Sequence, residues 1–277
     1  MKIASASYFR CVLLVFCLTY ANIMIPGLAS GQSKREQLEK HYGISVAEAT
    51  DQLKSGKITL IHLDLIGQSG ALDAIPDLRK QFTVSQDEQE KAKIAQVLVK
   101  LGEKDNKYWE YLSLRARRAV ESDAPDVFIH DGQGKVQSGL SPEFILWAKS
   151  HGDLADSAQE IVYINPAMVR LLGATMDQRA IPLLRKALLS PNYLVENAGA
   201  EGLAELQDKD SIPLIIEAVK KAPAEAGMLL AQSLVYFDDP QAQLAVDTYI
   251  PAEFARLLRA AKAKGRRPFH EEFTTSK

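Results

Sequence analysis

At 277 residues, with 47% hydrophobic and 25% charged side chains, the chain has the composition of a folded globular protein and excludes an intrinsically disordered one. Its formal charge of −2, from 33 basic and 35 acidic residues, argues against a dedicated nucleic-acid binder, which carries a basic face and a high pI. Both cysteines, Cys11 and Cys17, fall in the segment 1–31, so a chain processed after that segment has no disulfide, thiol catalysis or cysteine-based zinc site.

That segment, 1–31, reads as a secretory signal peptide. Lys2 and Arg10 form a basic start, Cys11 to Ile25 is an apolar run broken by Pro26-Gly27, and Ala29-Ser30-Gly31 supplies small residues for cleavage near 29–31. The expected address is periplasmic or secreted. The alternative is a retained membrane tether, although the apolar run falls short of the roughly 20 residues that cross a bilayer. Cys17 is a poor lipidation site, because bulky Phe16 precedes it inside the apolar run.

Residues 32–122 read as helices. Ser45 with Glu48 and Ser85 with Glu88 are capping-box patterns, and Gly43 and Gly102 follow helical runs as C-caps do. In SQDEQEKAKIAQVLVKLG the acids lie in the first turns and Lys100 in the last, complementing the helix dipole. The stretch 123–140 breaks this rhythm: Val127, Phe128, Ile129 and Val136 flank Asp131-Gly132 and Gln133-Gly134, which predicts an inserted hairpin or ordered loop near 126–138. Ser141-Pro142-Glu143 then restarts a helix through Phe144 and Trp147.

From 141 to 260 the chain repeats itself. DQRAIPLLRKAL begins at Asp177, and its near-echo DKDSIPLIIEAV begins at Asp208. The same interval relates Leu172, Leu203 and Leu234, and also Asp177, Asp208 and Asp239, so a third copy ends near Ile250 with Leu244 in place of the proline. Each copy predicts two helices. The first places Ile181, Leu184 and Leu188 on one stripe, with Pro182 near its start where a missing N–H costs little. Ser190-Pro191-Asn192 breaks the chain, and the second helix is rich in small residues, Ala198, Gly199, Ala200 and Gly202, that admit a close neighbour. No single pair buries its own stripe, so the copies must stack. Upstream, DAIPDLRK from Asp73 followed by KIAQVLVKLGEKD from Lys93 reads as a further copy with a longer loop.

This pattern, Asp-x-x-Ala-Ile-Pro-x-Leu, a break, then an Ala-rich helix ending Leu-x-x-Leu, resembles HEAT repeats of the short type found in phycobilisome lyases, most specifically over 160–250. The resemblance implies an all-α, HEAT-like helical-repeat solenoid whose second helices line a concave surface. The family often places an arginine after the valine of that helix; here Val195 is followed by Glu196, so no contact of that arginine carries over.

Most chemical motifs reduce to local roles. GQGK, residues 132–135, lacks the spaced first glycine and the Ser or Thr of a phosphate loop and reads as a turn. His130, Asp131, His151 and Asp153 lack metal-site spacing, and neither Gly-x-Ser-x-Gly nor His-Glu-x-x-His occurs. Asp238-Asp239 fits a cap. The RARR run, Arg115 to Arg118, and the basic tail at 261–277 fit solvated faces or anionic contacts. No catalytic, cofactor or metal residue is therefore expected. The best candidate for a contact surface is a ladder on successive second helices: Arg170, Glu201 and Gln232 at one position, and Pro166, Asn197 and Met228 at another. The expected function is a protein-binding scaffold or adaptor with a protein partner and no nucleic acid, touching membrane only through a retained N-terminus or the tail. The rival is a lyase-like or enzyme-assisting protein with an apolar pocket lined by Trp147 or Tyr163.

Overall fold

Three Ile-Pro pairs open helices. Pro76, Pro182 and Pro213 all occupy the first turn, where an α-helix has no use for the N–H that proline lacks. The computed structural model describes residues 34–131 and 136–263. The amino-terminal part contains α1 Lys34–Tyr42, α2 Val46–Lys54, α3 Leu60–Ser69, α4 Ile75–Val84, α5 Glu88–Lys100 and α6 Asn106–Val120. A hairpin, β1 Phe128–His130 and β2 Val136–Leu140, leads into α7 Pro142–His151 and α8 Leu154–Gln159. The remainder is α9 Asn165–Ala174, α10 Ile181–Ala187, α11 Tyr193–Glu205, α12 Ile212–Lys221, α13 Ala224–Leu234, α14 Pro240–Tyr249 and α15 Ala252–Ala263. The expected signal segment 1–31, the GQGK turn and the tail from 264 lie outside the described residues. Among the described residues, no helix is long and apolar enough to cross a membrane.

The helices pack as antiparallel pairs, and the pairs stack. The pairs are α2 with α3, α4 with α5, α6 with α9, α10 with α11, α12 with α13, and α14 with α15, while the second helices α3, α5, α9, α11 and α13 also pack one on the next. The chain is therefore an all-α, HEAT-like helical-repeat solenoid with one small antiparallel hairpin. One apolar cluster runs from Val46 to Tyr108 through the first pairs, and a second continues from Ala92 to Leu258, so α5 and α6 feed both.

Glycine sets the spacing at the tightest crossing. A Cβ on Gly173 would lie 2.5 Å from the Gly202 Cα, and one on Gly199 would lie 2.8 Å from the Ala187 Cβ, so α9, α10 and α11 approach backbone to backbone. Both α9 and α11 close with a non-glycine residue in the left-handed region, Met176 at φ 62° and Gln207 at φ 54°, in the same register of their two repeats.

The repeating aspartate does different work in each copy. Asp177 caps a 3-10 turn by accepting from the Arg179 N–H at 2.9 Å. Asp208 instead receives Arg185 from the preceding repeat, through Nε at 2.9 Å and NH2 at 2.8 Å. Arg79 and Glu103 make the corresponding bond upstream, with Nε 2.5 Å from Oε2. Asp239 caps α14 directly, accepting from the Gln241 N–H at 2.8 Å; Pro240 follows at once, which leaves Leu244, at the proline's expected position, exposed. Ser45 caps as expected, but the predicted Ser85–Glu88 box is displaced. Asp87 accepts from the Glu90 N–H at 2.8 Å, because Asp-x-x-Glu two residues later offers a carboxylate cap on the dipole.

The break in the repeat is longer than the hairpin. Residues 121–164 enter between α6 and α9, which pack as a pair regardless. Phe128 pairs with Leu140 and His130 with Val136, a register that slips by two residues and leaves a bulge, with Gly139 at φ 127°. Ser141 ties this hairpin to α7: its Oγ donates to the Asp126 carbonyl at 2.6 Å and accepts from the Phe144 N–H at 3.0 Å. The insert forms its own apolar cluster, with Phe128, Phe144 and Ile161 packed on Tyr193 at the start of α11 and Ala226 of α13. It rejoins α9 through a π-helical turn, Glu160–Ile164.

Candidate functional site

The ladder on the second helices is connected side chain to side chain. Arg170 on α9 donates from Nε to Glu201 Oε2 on α11 at 2.7 Å, and Asn197 one turn back donates from Nδ2 to Glu201 Oε1 at 2.8 Å. The two long side chains thus bridge the gap between neighbouring helices instead of projecting separately from them. Arg170 is 19% exposed and Glu201 15%, so the pair is fixed in place with only its edge in solvent. Asn197 and Pro166 are buried within the packing, whereas Met228 and Gln232 lie half-buried on α13 in the same register.

The row extends further than the three-copy reading. Asp64 precedes Ile75 by eleven residues, as Arg170 precedes Ile181 and Glu201 precedes Ile212. On α3 it pairs with the deeply buried Lys93 of α5 at 2.5 Å, Lys93 being 3% and Asp64 17% exposed. Gln96 on α5 precedes Glu103 by seven residues, as Glu201 precedes Asp208, and its Nε2 donates to the Ala174 carbonyl of α9 at 2.9 Å. Two buried side-chain acceptors among the described residues have no donor, Gln96 Oε1 and Asn197 Oδ1, and both belong to this row. The signal for Asp64 and Gln96 was present in the register; the irregular loop before α6 obscured it.

Glu196 is the other distinctive group. It lies one position from Asn197 on α11, half-buried and without an ionic or hydrogen-bonded partner among the described residues, and burial pushes its carboxyl up to about 7. A carboxyl raised in the fold favours the protonated folded state, so this contribution to stability is full below the unfolded value of 4.5 and is lost as pH rises through about 7. Glu196→Gln is expected to stabilise the protein at pH 8 by roughly 1–2 kcal/mol, allowing for partial solvent access, and to change little at pH 4.5. Urea unfolding at the two pH values checks this, and an equal effect at both would refute it.

Other sequence candidates have local occupations. His151 stacks on Trp147 with centroids 4.2 Å apart, its Nδ1 2.8 Å from the Trp147 carbonyl, and Asp153 caps α8 by accepting from the Ala155 N–H at 2.7 Å. Trp147 is held flat between Phe144 and His151, and its Nε1 donates to Asp123 at 2.9 Å, while Tyr163 is 54% exposed. Asp131 accepts from Gln137 at 2.9 Å. In the RARR run, Arg115 bridges to Glu88 and packs over the Tyr111 ring, while Arg117 and Arg118 are exposed. Asp238 is held below the usual carboxylate range by the Lys262 ammonium at 2.6 Å, which places the start of the expected tail on α15.

Residues 197–221, from the middle of α11 through the end of α12, match the family model of the PBS lyase HEAT-like repeat. The chain carries a HEAT-like repeat over these residues. The matched span contains Asn197, Glu201, the Arg185 acceptor Asp208 and the Ile212-Pro213 pair, so the acceptors that join neighbouring repeats lie inside the recognised unit, while their donors Arg170 and Arg185 precede it. No curated protein matches the chain.

Proposed function

We propose that this HEAT-like solenoid is an exported scaffold or adaptor that binds a protein partner along its second-helix row, without chemistry of its own. The observation that carries the reading is the Asn197–Glu201–Arg170 network, which fixes polar side chains across two repeats before any partner arrives. Pre-ordering of this kind lowers the conformational cost of binding on an extended face. The hairpin and α7 rest on the starts of α11 and α13, where they offer a second contact beside the row. Export rests on the residue 1–31 pattern, and the intact mass of the exported chain tests it: a start near Ser30 to Gln32 means cleavage, whereas retention of Met1 favours the tethered adaptor. Affinity capture from the cell envelope tests the binding face, with the Arg170→Glu, Glu201→Arg exchange as the comparison. That exchange keeps the ion pair and reverses its direction, and rotation of the Asn197 amide supplies an acceptor to the new arginine. Loss of the captured protein on exchange is the expected result.

A further inference from the structure

Stacking separates charge between the two rows. On α9, α11 and α13 the charged side chains are Glu196, Glu201, Glu205 and Glu225 against Arg170 alone, a net of −3. The first helices α10 and α12 carry Arg185, Lys186, Lys220 and Lys221 against Glu217, a net of +3. Neither a pI of 6.2 nor a nearly neutral chain reveals this division, because it appears only when alternate helices are assigned to different rows.

Within the acidic row, the groups are not equally available. Arg170 already neutralises Glu201, and Glu205 is buried. Glu225 stands near Tyr193, whose hydroxyl is raised by burial and, after that, by the charges of Asp126 and Glu225. Glu196 is half-buried with no partner among the described residues. Beside it is Asn197, 6% exposed, whose Nδ2 is committed to Glu201 and whose Oδ1 receives no hydrogen bond. Residues 196, 197, 200 and 201 share one stripe of α11, and position 200 is a buried alanine, so little bulk stands between the Glu196 carboxylate and the buried Asn197 amide. A ligand that complements acceptors without donors is a donor without acceptors, and among side chains that describes lysine and arginine.

We propose that the second-helix row docks a basic segment of the protein partner, with a lysine or arginine head seated against Glu196 beside the Asn197 amide. This rests on the scaffold reading and names the chemistry of what the scaffold holds. A basic segment gains both the field of the acidic row, which speeds encounter, and one local pairing that fixes register. The first-helix row repels the same segment, which makes the docking one-sided.

A hexalysine peptide tests this with the purified protein at low salt. Carbodiimide treatment joins a lysine amine to a carboxylate it touches, and peptide mapping locates the bond. The expected result is preferential cross-linking at Glu196, with hexalysine affinity reduced about fivefold or more by Glu196→Gln and unchanged by Glu217→Gln on the basic row. Glu196→Gln is nearly isosteric and removes a poorly solvated charge, so retained helicity accompanies the expected loss. Cross-links spread evenly over exposed carboxylates, or equal hexalysine affinity in the two variants, would overturn the proposal. Capture that is sensitive to the Arg170–Glu201 exchange, together with indifference to hexalysine, would leave the scaffold standing without a basic ligand. Hexalysine seated at Glu196 with no captured protein would do the reverse.

Discussion

Gly173→Ala is expected to lower the stability of the repeat array by about 2 kcal/mol, although alanine is the better helix former, because overpacking outweighs propensity. The added methyl would lie 2.5 Å from the Gly202 Cα and 3.4 Å from its carbonyl carbon, so backbone must move and no side chain can turn aside. Overpacking of this kind costs on the order of 3 kcal/mol, and the intrinsic helical gain of alanine over glycine returns only about 1 kcal/mol. Gly67→Ala is the matched comparison. Its methyl would meet the Val97 side chain at 3.2 Å, which can shift by a few tenths of an ångström, so the expected change stays within about 1 kcal/mol. Thermal unfolding of the two variants, followed by far-ultraviolet circular dichroism, separates a large fall from a small change. Equal behaviour would mean that the α9–α11 crossing is looser than described.

Lys93→Met is expected to cost about 2–3 kcal/mol, because it leaves the Asp64 carboxylate largely out of water without its cation. Methionine fills most of the lysine's length, so the loss comes from charge rather than volume. Combining it with Asp64→Leu is expected to recover most of the loss, since apolar replacement of a buried pair is often neutral. Urea titration of the single and double variants gives the coupling energy; additive losses would show that Lys93 matters through another contact.

Much of the fold was legible because the Ile-Pro pair, the following apolar stripe and the glycine-rich second helix each obey a local rule, and all recur at one spacing. Pairing across the insert was not. Nothing local in α6 indicates that its partner is α9, beyond 121–164, because such packing is decided by which apolar faces remain unburied. The aspartates show a related limit. Their position could be read, but whether one caps a turn or receives an arginine depends on what the previous repeat offers, and Arg185 is present where Ile216 stands one copy later. At the candidate site, the register located Arg170, Glu201, Gln232, Asn197 and Met228 on one row. It could not show that Arg170 and Glu201 bond to one another, since a repeat interval says nothing of how far two side chains reach. Glu196 stood out only as a departure from the family pattern; its isolation comes from burial, which one sequence does not display.

The measurement that tests the central claim most directly is quantitative capture from the native envelope by the unaltered protein and by the Arg170→Glu, Glu201→Arg variant, with helicity and unfolding midpoint recorded for both. The account predicts one dominant captured protein, reduced about tenfold or more by the exchange while the helical signal is unchanged. Equal capture by two equally folded proteins would contradict it and would remove the second-helix row as the binding face.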